Sequence, residues 1–158
     1  MKYLVAVDIQ PAFVTLPVGE EIYNNCLKYI EEHRNDFDEI IAVVYENDGS
    51  NPNMERLIYY SGCKTPQEVA FKADKIVKHA GYFNFKLLHF KPEDEVVIIG
   101  FDTDACVLST AFNVFDMGCK FKIYKDLCWS SGGKIMHLTG LAVMERNFGT
   151  AVTTSKEA

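Results

Sequence analysis

Val96-Val97-Ile98-Ile99-Gly100-Phe101-Asp102-Thr103-Asp104-Ala105-Cys106-Val107-Leu108-Ser109-Thr110-Ala111-Phe112 is the stretch from which the rest of the chain is read. Four consecutive apolar β-formers, Val96 to Ile99, predict a strand buried on both faces, as in a parallel sheet. The period then changes: Val107, Leu108, Ala111, Phe112 and Phe115 share one face of a helix. Thr103 or Asp104 is placed to cap that helix and Gly118 to end it. Cys106 therefore falls in the first helical turn, beyond the C-terminal end of a central strand, where open α/β sheets place ligands. A thiol there faces backbone N–H groups and the positive end of the helix dipole, both of which favour thiolate. The alternative is a small buried core cysteine, the commonest fate of a free thiol.

Upstream, Tyr3 to Val7 predicts a first buried strand that ends at Asp8, on the same ligand-binding edge. An aspartate that caps a loop is the alternative there. Phe13, just beyond, is core or pocket wall. Glu20 to His33 has helical spacing, and Ile40 to Tyr45 is a second apolar strand. A long excursion over 46–74 follows. It contains the turn cluster Asn47 to Pro52, a short helix expected over Met54 to Tyr60, and a capping box at Thr65-Pro66-Gln67-Glu68. Connections of this length are often lids or pocket walls.

Lys75 to Lys78 reads as a short strand ending in Lys78, with Tyr82, Phe83 and Phe85 close behind and a turn or two of helix between Phe85 and Phe90. Lys120 to Lys125 alternates charged and apolar residues, as in a strand near a sheet edge, and ends at Asp126. Leu127 to Gly133 reads as a loop, Lys134 to Asn147 as a helix and Ala151 to Thr154 as a last short strand. This alternation predicts a three-layer α/β/α sandwich around a mostly parallel, Rossmann-like sheet, in a single domain over residues 1–158.

Composition narrows the function classes. The chain has 158 residues, 48% of them hydrophobic, which is enough for a full core. A formal charge of -6 without a basic run argues against a nucleic-acid partner. No apolar run reaches membrane-spanning length, and the N-terminus lacks a signal-peptide pattern, so a cytoplasmic protein with no membrane partner is expected. The five cysteines, Cys26, Cys63, Cys106, Cys119 and Cys128, are scattered and contain no CxxC, so neither a zinc site nor a thioredoxin-type pair is indicated.

Asp8, Lys78 and Cys106 each follow a separate predicted strand and converge on one edge. In these pieces the chain resembles the isochorismatase-like cysteine hydrolases: Val7-Asp8-Ile9-Gln10 with Phe13; Ile76-Val77-Lys78-His79 leading to Tyr82 and Phe85; and Gly100-Phe101-Asp102-Thr103-Asp104-Ala105-Cys106-Val107. Thr110-Ala111, Asp116-Met117-Gly118, Tyr124-Lys125-Asp126 and Thr153 to Glu157 extend the resemblance over nearly the whole chain. The spacing from Lys78 to Tyr82 is one residue off the usual pattern.

The resemblance implies strand order 3-2-1-4-5-6, with Cys106 as nucleophile, Asp8 as general acid/base and Lys78 as the cation that orients both. It also implies a non-proline cis peptide at Phe101–Asp102, and an oxyanion hole made by the backbone N–H groups of Asp102 and Cys106. Phe13, Tyr82, Phe85 and Trp129 are the candidate substrate-binding residues.

Two departures bear on substrate. Nicotinamide-hydrolysing members carry an Asp-x-His pair and further histidines after the second strand, which bind a metal. This chain has Tyr45-Glu46-Asn47-Asp48 there and no histidine between His33 and His79. No metal or other cofactor is therefore expected. The isochorismatases proper lack the cysteine, so Cys106 argues against vinyl-ether hydrolysis. The reading is a hydrolase acting on a small-molecule amide or related C–N bond through a Cys106 thioester; the alternative is a non-catalytic or thiol-sensing binding protein on the same fold. The resemblance and an aromatic content of 13% lead to the expectation of a homo-oligomer.

Overall fold

The computed structural model of the chain describes residues 1–57, 68–83, 86 and 88–157. Among them, six strands form one sheet: β1 (Lys2–Val7), β2 (Glu39–Tyr45), β3 (Lys75–His79), β4 (Glu95–Phe101), β5 (Lys120–Trp129) and β6 (Val152–Thr153). Their order is β3-β2-β1-β4-β5-β6, and every pairing is parallel. Among the described residues three α-helices cover the sheet: α1 (Val18–Glu32), α2 (Cys106–Asp116) and α3 (Lys134–Phe148). The three-layer, Rossmann-like architecture and its strand order are thus as the sequence predicts.

Alternation along the pleat divides the core into two layers. On one face Val5, Val7, Ile41, Val43, Val96 and Ile98 pack with Val107, Ala111 and Val114 of α2 and Met144 of α3. On the other, Leu4, Ala6, Ile40, Val97 and Ile99 pack with Cys26 and Ile30 of α1. The central strands are buried on both faces, which is why β1, β2 and β4 read as unbroken apolar runs. No described helix is long and apolar enough to cross a membrane.

Several local expectations are corrected. Leu127 to Trp129 is strand, not loop: after a register shift beside Ile98 and Gly100, β5 continues with Cys128 opposite Gly100 and Trp129 opposite Phe101. The N-cap of α2 is Ala105, without a side-chain cap, because Thr103 and Asp104 are engaged elsewhere. Within the helix expected over Met54 to Tyr60, the described residues Met54 to Arg56 belong to a 3-10 turn, Pro52–Arg56. Tyr59, Tyr60, Thr65, Pro66, Gln67 and Phe85 lie outside the described residues.

Candidate active site

Because the strands are parallel, the ends of β1, β3 and β4 deliver their following residues to one rim of the sheet. The order reverses between β1 and β4, so that pair marks the switch point where such sheets bind ligands. Gly100 makes the junction possible. Its φ is 125°, and a Cβ there would lie 2.0 Å from the Val7 carbonyl oxygen. No side chain fits, and β1 and β4 approach closely just below the site. On the β1 side, Asp8 turns out of the strand with φ 47°, a left-handed conformation uncommon outside glycine, and its N–H donates to the Val43 carbonyl at 2.9 Å. Gln10 pins the neighbouring rim through both backbone groups of Tyr45, at 3.0 and 2.9 Å.

Three side chains meet here. His79 Nε2 lies 2.7 Å from Asp8 Oδ1, and both side chains are almost wholly buried. His79 Nδ1 donates to the Gly81 carbonyl oxygen at 2.7 Å. Both ring nitrogens therefore face acceptors, the arrangement of an imidazolium opposite a carboxylate. Burial opposes that charge, but Asp8 and the Gly81 carbonyl outweigh it and hold the His79 pKa above the ordinary value. Cys106 Sγ completes the cluster: ligand-type atoms of Asp8, His79 and Cys106 all lie within 4.8 Å of one another. Asp8 Oδ2 is buried and accepts no hydrogen bond from a described N–H or O–H group.

Asp8 and Cys106 are brought together as the sequence predicts; Lys78 is not with them. Its ammonium lies 3.3 Å from Glu46 Oε2 with the side chain 60% exposed. The reason is the pleat of β3, where Val77 and His79 point inward while Ile76 and Lys78 point out. His79 is the group that sequence reasoning missed, and it left two signals. It shares a face with apolar Val77, and it removes the one-residue offset before Tyr82.

The expectation that Cys106 is a stabilised thiolate is likewise corrected. Burial, followed by the carboxylates of Asp8, Asp102 and Asp104, drives its pKa well above the ordinary thiol value. The helix N-terminus is present, but three acids surround the sulfur and Lys78 does not reach it.

The loop carrying Cys106 is held at successive residues. The Phe101–Asp102 peptide is cis. The Asp102 carboxylate accepts from the Ser131 N–H at 2.8 Å and the Ser131 hydroxyl at 2.5 Å. Thr103 Oγ1 lies 2.7 Å from His137 Nδ1, and Ser130 Oγ donates to Asp104 Oδ1 at 2.5 Å. Gly140 of α3 lets the helix rest on this loop, since a Cβ there would sit 2.9 Å from the Asp104 backbone.

The other candidates fall at different depths. Tyr82 is 44% exposed and lies beside Cys106 and Asp104. Phe13 is buried edge-on against the Tyr45 ring, 6.0 Å between centroids. Trp129 is half-buried with its ring tilted against that of His137, 4.6 Å between centroids, and its carbonyl accepts from the Thr103 N–H. A cavity at the end of β3 is lined by Glu46, Asp48, Lys78, His79, Phe83 and Lys86.

Comparison with known proteins agrees with this architecture. The isochorismatase domain matches residues 2–157, and the chain belongs to that family. Among solved structures, an isochorismatase-like hydrolase from Alkaliphilus metalliredigens has a TM-score of 0.78 at 18% identity, covering 99% of this chain and 96% of that one. An isochorismatase family protein from Desulfovibrio vulgaris gives 0.73 at 19% identity, with 97% and 92% covered. A nicotinamidase from Bacillus subtilis gives 0.72 at 16% identity, with 96% and 98% covered. At these identities the likeness is one of fold. No curated protein sequence matches the chain.

Proposed function

We propose that this chain is a cysteine hydrolase that cleaves a small amide or related C–N bond through a thioester to Cys106. The observation that carries the reading is Asp8, whose carboxylate lies 2.7 Å from the buried His79 ring and in one cluster with the buried Cys106 thiol. In this reading Asp8 takes the Cys106 proton as Sγ attacks the substrate carbonyl carbon. It then returns that proton to the leaving amine as the C–N bond breaks. Water, deprotonated by the same carboxylate, attacks the thioester, and the acid leaves as the thiol is restored. His79, in the position expected of the lysine, supplies the cation that orients Asp8 and offsets the negative charge gathering on the pair. The backbone donors at Asp102 and Cys106 hold the oxyanion, typically worth about 3 kcal/mol per donor.

The elevated thiol pKa fits this assignment better than a thiol sensor. A sensor needs a standing thiolate, whereas an acid/base partner in contact allows the thiolate to form only during attack. Ammonia release from a panel of primary amides, ureas and carbamoyl compounds tests the proposal. Cleavage of at least one member, lost in Cys106→Ala, supports it. Wild-type protein that cleaves none of them while Cys106 oxidises readily and reversibly favours the sensor.

A further inference from the structure

We infer that Asp8, His79 and Cys106 together form a three-donor site for a thiophilic divalent cation such as zinc, and that occupancy of this site switches the hydrolase off. The binding rests on geometry and donor chemistry; only the switching rests on the reading of Cys106 as nucleophile.

The donor set is one carboxylate, one imidazole and one thiol, each delivered by a different strand end to one buried cluster. Three protein ligands with an open fourth position is a recurrent zinc arrangement. His79 is already oriented for it. Its Nδ1–H is anchored on the Gly81 carbonyl, the outer hydrogen bond that fixes metal-ligating histidines and leaves Nε2 for the ion. Asp8 Oδ2 supplies the second, independent sign: it is a fully buried oxygen, next to the thiol, with no described N–H or O–H donor. A lysine at position 79 would be a far poorer donor, because its ammonium holds the proton that must leave much more strongly than an imidazolium does.

The exchange balances in charge. Cys106 as thiol, Asp8 as carboxylate and His79 as imidazolium sum to zero. A dication that displaces one proton from Sγ and one from Nε2 leaves thiolate, carboxylate, neutral imidazole and M²⁺, again zero. The buried cluster therefore takes up the ion without acquiring net charge, which removes the main cost of burying one. Zinc bonds of about 2.0–2.3 Å put tetrahedral donors roughly 3.3–3.8 Å apart, so the Asp8–His79 pair, now at 2.7 Å, opens to admit the ion, within a cluster that spans no more than 4.8 Å. The Asp8–His79 hydrogen bond is given up with the Nε2 proton, and Oδ2 is free to turn toward the ion. Asp102, Asp104 and Tyr82 flank the sulfur.

Chelator-stripped protein titrated with Co²⁺ tests the site directly. The expected result is one ion per chain, a near-ultraviolet thiolate-to-cobalt absorption band, and release of two protons per ion measured in buffers of different ionisation enthalpy. The band is lost in Cys106→Ala, and His79→Gln weakens binding at least 100-fold, while Lys78→Met binds as wild type does. Circular dichroism shows which variants are folded, and zinc displaces cobalt. Equal affinity in folded Cys106→Ala or His79→Gln, or a cobalt complex without the thiolate band, would overturn the site. Bound zinc should also abolish amide cleavage, and zinc-saturated protein that still turns over would overturn the switch. Because the cobalt readouts need no substrate, their failure leaves the hydrolase reading intact, and failure of every amide leaves the site intact.

Discussion

His79 Nε2 and Asp8 Oδ1 meet at 2.7 Å from positions 71 residues apart, while Lys78, one residue before His79, points to the opposite side of β3 and pairs with Glu46. The two ion pairs differ in what surrounds them. Removing one partner of a buried pair leaves an uncompensated charge, at about 3–5 kcal/mol; exposed pairs contribute about 0–1 kcal/mol. His79→Ala should therefore destabilise the protein by several kcal/mol in urea unfolding, and Lys78→Ala by less than about 1 kcal/mol. Equal effects would mean that the buried pair is misassigned.

The same pair sets a pH dependence. The folded His79 pKa is raised: burial works against it, but Asp8 and the Gly81 carbonyl prevail. A raised folded pKa contributes stability that is fully present below the unfolded value and lost as pH climbs through the folded one. Cys106, raised by burial and its acidic neighbours, adds a loss in the same direction at higher pH. Melting temperature should fall as pH rises from about 6 to 8, and that slope should flatten in His79→Gln. A wild-type melting temperature that rises over this range would contradict the charge assignment.

Glycine substitutions separate close approach from backbone preference. Gly100→Ala must place a methyl on the Val7 carbonyl at φ 125°, and a loss of more than about 4 kcal/mol or failure to fold is expected. Gly118→Ala also has a positive φ, 79°, but meets nothing within 4 Å, and should cost only about 1–2 kcal/mol. Thermal denaturation of the two variants decides it.

Ser131 holds Asp102, and through it one of the proposed oxyanion donors. Ser131→Ala removes the hydroxyl bond but keeps the backbone one. With a cleavable amide in hand, kcat should fall about tenfold with KM nearly unchanged, as expected when only transition-state binding suffers. A change confined to KM would place Ser131 in substrate binding instead.

Much of the fold was legible because β1, β2 and β4 are buried on both faces and α2 carries a clear apolar stripe. Asp8 and Cys106 follow directly from those elements, Asp8 as the first residue past β1 and Cys106 as the first residue of the helix after β4. The remainder needed three dimensions. β3 is an edge strand with one apolar residue facing inward, Val77, and one facing out, Ile76, so its phase was poorly marked, and the conspicuous Lys78 was read as the inward group where the structure places His79. The end of β5 was obscured by a register shift that the pairing with β4 imposes. The thiol's environment depends on Asp8, Asp102 and Asp104 converging around one sulfur, which helix-terminus reasoning alone does not include.

The most direct test of the account is acid quenching during turnover of any amide the panel identifies, followed by intact-mass analysis and peptide mapping. The account predicts an acyl adduct on Cys106 in the wild-type protein, more of it in an Asp8→Asn variant that acylates slowly, and none in Cys106→Ser, which should fold yet lose nearly all turnover. Cleavage by Cys106→Ser at the wild-type rate, or an adduct mapped to another residue, would contradict it.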